Sequence, residues 1–162
     1  MGDDNTFKNE RIEKFSFVFW FVAGAVLVGV DQLTKYLAFH NSFGVFLNTF
    51  SPWVRKFHYF NHNFAFSLPL PPVVIFILYA VILIAIAWYL LKHGQKLSTA
   101  AKVSWMLIVA GAVSNVSERV ALGYVRDFVY IFSGIFNLAD FYILLGVFTL
   151  LIRSLLRDKH DL

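Results

Sequence analysis

Residues 73–91 read VVIFILYAVILIAIAWYLL, and no Asp, Glu, Lys or Arg occurs anywhere from 57 to 91. At ~1.5 Å per residue this stretch makes a helix of ~28 Å, the depth of a bilayer's hydrocarbon core. Pro69, Pro71 and Pro72 stand at its entrance, where a fixed φ suits a helix start. Three shorter apolar stretches accompany it. Residues 15–30 (FSFVFWFVAGAVLVGV) lie between Lys14 and Asp31, 103–117 follow Lys102, and 141–152 follow Asp140. Lys14 and Lys102 can snorkel outward and lengthen two of these. The last must begin at or before Asp140 to be long enough. The expected spans are 14–34, 70–91, 98–118 and 137–156. With no internal repeat or linker, residues 1–162 read as a single integral membrane domain, an all-α membrane protein built as a four-helix bundle.

Composition agrees. Of 162 residues 59% are hydrophobic and 15% charged, where a soluble domain carries about 25% charged residues. There is no cysteine, which excludes disulfides, Cys zinc sites and a thiol nucleophile. The net charge of +4 comes from residues scattered at the flanks of apolar runs, so a membrane accounts for it better than nucleic acid does. Lys8, Arg11 and Lys14 precede the first span, Lys92, Lys96 and Lys102 fall between the second and third, and Arg153, Arg157 and Lys159 end the chain. The other side keeps Lys35, Arg55, Lys56, Arg119 and Arg126. The positive-inside rule therefore puts both termini in the cytoplasm. Asp31, Glu118, Asp127 and Asp140 then gather toward the outer face. A cleavable leader is disfavoured by the acidic segment ahead of the first span and the lack of a small-residue cleavage site. The Met1-Gly2…Thr6 match to a myristoylation pattern is short enough to arise by chance.

Between the first two spans, residues 36–66 alternate aromatic and polar side chains, punctuated by Gly44 and Ser51-Pro52. The segment 54–60 (VRKFHYF) has strand character. A small extracytoplasmic β subdomain over 38–67 is expected on the membrane surface, its aromatics in the interfacial belt. An irregular aromatic loop is the plainer alternative. Ser133-Gly134 should break any helix, so 128–152 reads as a loop followed by a helix.

Two carboxylates stand out. Asp127 (in VRDF) and Asp140 (in FNLAD) sit in or beside the last apolar stretch. Ionised carboxylates in hydrocarbon are costly and usually functional. Held close, two of them cannot both ionise and share a proton. One can then act as general base on a water attacking a carbonyl while the other, protonated, polarises it. Helix capping is the structural alternative, Asp140 being at a plausible N-terminus, and an ion or proton pathway is a third. A serine triad finds no G-x-S-x-G elbow around Ser67. His58 and His62, four apart, suit a metal pair only on a helix, and their context is strand-like.

Four motifs in order resemble those of the lipoprotein signal peptidases, the type II signal peptidases. DQLTK (31–35) is similar to D-x-x-[ST]-K, bringing in Asp31, Thr34 and Lys35. NHNFAFS (61–67) is similar to N-x-G-x-A-F-S at Asn61, Ala65, Phe66 and Ser67. GAVSNVSER (111–119) resembles G-x-x-x-N-x-x-D-R at Gly111, Asn115 and Arg119. VRDF and FNLAD match the two aspartate motifs at Asp127, Asn137, Ala139 and Asp140. Asn63, Ser114 and Glu118 depart from the pattern, standing where glycine, glycine and aspartate are usual, and the interval from Asp127 to Asp140 is short.

The resemblance implies a membrane aspartyl endopeptidase of the bacterial cytoplasmic membrane, folded as a four-helix bundle with a periplasmic β-cradle and with its site toward the periplasmic face. It would cut signal peptides from diacylglyceryl-modified prolipoproteins just before the lipidated cysteine. Asp127 and Asp140 would be the catalytic dyad. Asn61, Asn115, Arg119 and Asn137 would orient it and hold the substrate backbone, with Asp31, Lys35 and Glu118 as supports. Arg119, beside the acidic pair, would pin it electrostatically. No metal, cofactor or nucleic acid is expected; membrane lipids are the surroundings and a monomer the expected state. The contrasting reading is a catalytically silent membrane protein that binds lipopeptides or helices through the same cavity.

Overall fold

Four helices account for the four apolar stretches: α1 (Asp3–Phe39), α2 (Pro72–His93), α3 (Thr99–Leu122) and α4 (Leu138–Asp158). The computed structural model describes residues 3–40, 55–63, 70–131 and 134–158. By length and composition each helix can cross a membrane, over 18–39, 72–96, 99–122 and 138–156, and the second span has a mean hydropathy of 2.8. Three spans run past the expected ends at 34, 91 and 118, and at 34 and 118 the reason lies in the charges. The charges that mark those ends in the sequence are buried and partnered. Lys35 and Asp31 are both 0% exposed and lie one turn apart in α1, and Glu118 and Arg119 are buried in α3. A paired charge facing the bundle interior does not stop a span.

Local chemistry fixes the helix ends. Pro72 opens α2, with its locked φ and missing N–H at a position where neither costs anything. Ser98 caps α3, its hydroxyl accepting the N–H of Ala101. Gly123, at φ 80°, closes α3 in the left-handed region and returns its N–H to the carbonyl of Arg119. That reversal sends the chain straight into the strand carrying Asp127.

Helix α3 is the centre of the bundle. Its buried positions run from Ala101 to Arg119, and α1, α2 and α4 each pack against it. The helices approach most closely where side chains vanish: a Cβ at Gly111 would lie 2.5 Å from the carbonyl oxygen of Ala139, and one at Gly146 would lie 2.6 Å from that of Ser104. Small residues at such crossings let backbones meet without a hydrophobic driving force between helices. The outer faces are apolar, with Phe21, Val73, Ile84, Leu91 and Phe148 exposed. A continuous apolar exterior of this kind is suited to lipid. The chain is a multi-pass membrane protein.

At one end of the bundle lies a three-stranded antiparallel sheet in the order β1 (Arg55–Asn61), β2 (Val125–Ile131), β3 (Gly134–Phe136). Tyr59 pairs with Asp127, Asn61 with Val125 and Val129 with Phe136; the register shifts between Lys56 and Tyr59. Of the subdomain expected over 38–67, the described strand is β1, and 41–54 and 64–67, including Ala65, Phe66 and Ser67, lie outside the described residues. Two of the three strands come instead from 125–136, partly within the segment read as a loop. The residues VRDFVYI favour a pleated, half-buried surface, and β1 supplies the partner that the local sequence cannot reveal.

Candidate active site

The first turn of α4 is built around a reciprocal pair of bonds. Asn137, just ahead of the helix, accepts the N–H of Asp140 on Oδ1 at 3.0 Å, and Asp140 Oδ2 accepts the N–H of Asn137 at 3.0 Å. This is a capping-box arrangement, satisfying two N–H groups that a helix start leaves orphaned. Capping and a chemical role are therefore not alternatives for Asp140. The cap uses one carboxylate oxygen, and the other is held by Asn115 Nδ2 at 2.9 Å.

Asn137 also reaches the second carboxylate. Its Nδ2 donates to Asp127 Oδ1 at 2.6 Å, and Asn61, at the end of the neighbouring strand, donates to Asp127 Oδ2 at 2.9 Å. Asn61 lies diagonally across the sheet from Asp127, within side-chain reach on the same face. One buried asparagine thus touches both aspartates, bringing together residues from a strand and a helix. Asp127 is 1% exposed. Burial pushes its carboxyl up to about 7, the nearby Asp140 adds to the rise, and the bonds from Asn61 and Asn137 and the charge of Lys35 oppose it.

A second polar layer backs the first. Lys35 Nζ lies 2.8 Å from Asp31 Oδ2 and 3.0 Å from Glu118 Oε2, and donates to Asn115 Oδ1 at 2.9 Å. Asp31 accepts the hydroxyl of Ser114 at 2.6 Å and the N–H of Ala139 at 2.8 Å. Glu118 accepts the N–H of Arg126 at 3.0 Å and pairs with its Nε. The longer stem of glutamate is used here to reach both the strand and Lys35. The departures at 114 and 63 also have partners: Ser114 accepts Gln32 Nε2 at 2.8 Å, and Asn63 donates its N–H to Asn61 Oδ1 at 3.0 Å.

Arg119 behaves differently from its sequence expectation. Its Nη2 donates to the carbonyl of Asn63 at 2.8 Å and its guanidinium lies over the Tyr79 ring, 5.4 Å from the centroid. Among the described residues it makes no ion pair with either aspartate. The cation that acts on Asp127 is Lys35. Among the described residues, Arg119 Nε and Nη1 are buried without a hydrogen-bond partner. The histidines go separate ways: His58 bonds the carbonyl of Ala38 at 2.9 Å, while His62 packs edge-on to Tyr124.

Gln32 and Arg126 are the members of this cluster that sequence reasoning missed. Arg126 Nη2 donates to Gln32 Oε1 at 3.1 Å, joining the strand to α1. The signal available was the placement of Arg126 directly before Asp127, inside a segment with strand composition.

Comparison with known proteins identifies the family. The profile of the family described as Signal peptidase (SPase) II matches residues 23–156. A lipoprotein signal peptidase of Enterococcus faecalis is 34% identical over 146 residues, covering 88% of this chain and 91% of that protein. One from Bartonella henselae is 33% identical over 152 residues, covering 87% and 91%. A solved structure described as a bacterial membrane enzyme superposes with a TM-score of 0.71 at 26% identity, covering 88% of this chain and 90% of its own. The chain is a peptidase and belongs to the signal peptidase II family.

Proposed function

We propose that this peptidase removes signal peptides from diacylglyceryl-modified bacterial prolipoproteins by aspartic catalysis, with Asp127 and Asp140 as the dyad. The observation that carries the mechanism is the pair of aspartates bound to the single side chain and main chain of Asn137. Asp127, whose carboxyl is pushed up to about 7, holds the shared proton. Asp140 removes a proton from water as its oxygen attacks the scissile carbonyl carbon, and Asp127 donates its proton to the carbonyl oxygen. In collapse of the tetrahedral diol, Asp140 returns its proton to the leaving nitrogen and the C–N bond breaks. Asp127 recovers its proton from the diol as the carbonyl re-forms, leaving the dyad as it began. Asn61, Asn115 and Asn137 hold the carboxylates in place. The Nε and Nη1 groups of Arg119, which have no partner among the described residues, suit substrate backbone carbonyls, which need partners once away from water.

The setting favours a lipidated substrate. The dyad lies where α1 and α3 end and α4 begins, so the acyl chains and signal helix reach it laterally while remaining in the bilayer. By the positive-inside rule the basic flanks support cytoplasmic termini, with the dyad toward the outer face of the bacterial inner membrane. A single domain working as a monomer is part of this reading.

The purified protein, incubated with a diacylglyceryl-modified precursor, releases the signal peptide and leaves a faster-migrating lipoprotein on a gel; the unlipidated precursor stays intact. A precursor that is bound but never cut would instead support the silent lipopeptide-binding reading. The pH profile of kcat/KM gives a second check. Only the singly protonated dyad is active, so above about pH 7 the rate falls as Asp127 loses its proton, about tenfold per pH unit. A profile flat from pH 6 to 9 would remove Asp127 as the acid.

A further inference from the structure

Behind the dyad, a single ammonium group is linked to both of its supports. Lys35 is 0% exposed, and an ammonium has three N–H donors. Each has one acceptor within 3.0 Å: Asp31 Oδ2, Glu118 Oε2 and Asn115 Oδ1. Each acceptor residue continues to the dyad. Asp31 holds the main-chain N–H of Ala139, the residue immediately before Asp140. Glu118 holds the main-chain N–H of Arg126, the residue immediately before Asp127. Asn115 holds Asp140 directly through its other amide atom.

We infer that Lys35 is a positioning residue that sets the separation of the two aspartates, acting as a three-way joint between helix α4 and strand β2. This rests on the aspartic reading above and deepens it. The strand and the helix carrying the dyad are linked through β3, whose Phe136, the residue before Asn137, pairs with Val129 of β2. Apart from that pairing, Lys35 connects to both through carboxylates that grip main chain. Main-chain grips fix the start of each aspartate side chain, whereas Asn137 fixes the carboxylate ends. An acid–base pair serving one water needs both.

A merely structural lysine and a joint give different results. Lys35→Met leaves Asp31 without its cation, and such a buried unpaired charge is strongly destabilising, so loss of activity there is ambiguous. Lys35→Met combined with Asp31→Asn removes both charges while an amide oxygen remains to accept the N–H of Ala139. Glu118 keeps its pair with Arg126. This double variant regains the melting temperature lost in the single one. Its kcat nonetheless stays down on the order of 100-fold with KM within about threefold, as expected for a dyad displaced by ~1 Å. Lys35→Arg is the second arm: it keeps the charge, but a planar fork cannot present three N–H groups from one point, so kcat falls at least ~10-fold in a folded protein. Wild-type kcat in either folded variant overturns the joint, as does a loss confined to KM. Asp127→Asn is run alongside. Cleavage by that variant sinks the aspartic reading itself, whereas an inactive Asp127→Asn beside fully active Lys35 variants sinks only the joint.

Discussion

Asparagine in place of Asp127 or Asp140 lowers kcat by at least ~10³-fold, about 4 kcal/mol of transition-state stabilisation, while the protein still folds. Each substitution keeps the shape of the side chain and removes the proton exchange the dyad depends on. The double variant is scarcely worse than either single one, because the two residues act as a unit. Stability moves the other way for Asp127→Asn. A carboxyl raised to about 7 in the folded protein keeps its proton where the unfolded chain, with an ordinary value of 3.8, has lost it. Folding is therefore weakened progressively as pH rises from about 4 to about 7, and the full deficit stands above pH 7. A shift of about three units corresponds to up to about 4 kcal/mol recovered by the uncharged amide at pH 8. The gain is reduced by the amide nitrogen that must now meet a donor of Asn61 or Asn137. An inactive variant that melts higher at pH 8 than at pH 5, relative to wild type, is the expected signature. A melting difference independent of pH would contradict the raised value.

Valine at Gly111 is the second large effect. Any Cβ there stands 2.5 Å from the Ala139 oxygen and 2.8 Å from Ile143 Cγ1. The first of these is backbone, so α4 itself must retreat. Overpacking of this kind costs about 1–3 kcal/mol or more, and the retreat takes Asp140 with it, since Ala139 is its neighbour. A displacement of ~1 Å is worth about 10²-fold in rate. Gly146→Ala supplies the control, because its Cβ meets the Ser104 oxygen at 2.6 Å on the same helix pair but far from the dyad. Thermal melting falls in both variants, while kcat collapses only for Gly111→Val. Equal kcat losses in the two would mean that bundle loosening in general, not the placement of Asp140, governs the rate.

Much of this architecture is legible from hydropathy alone, because each span must be apolar for its full depth. The uninterrupted run at 73–91 leaves little choice. The span ends were harder to read. Asp31 and Lys35 look like a boundary in sequence, and only the burial of Lys35 against Glu118, from a different helix, shows that the helix continues past them. The catalytic candidates stood out because a carboxylate beside an apolar run is costly, and the asparagines became legible through motif resemblance. The strand character of 54–60 was legible too, but its pairing was not, since β1 and β2 are separated by two whole spans and local propensity says nothing about that pairing. Gln32 and Arg126 were invisible for the same reason: in sequence Arg126 counts as one more outer-side positive charge, and its meaning comes from Glu118 and Gln32 across the bundle.

The reciprocal cap at Asn137 and Asp140 has a consequence for biogenesis. During synthesis, the polypeptide that has threaded three segments into the bilayer owns one aspartate and no partner for it. The second acquires its orientation only when the closing helix winds its opening turn and docks. On the proposed dyad, proteolytic competence waits on completed insertion, and truncation removing the last segment is expected to yield an inert protein.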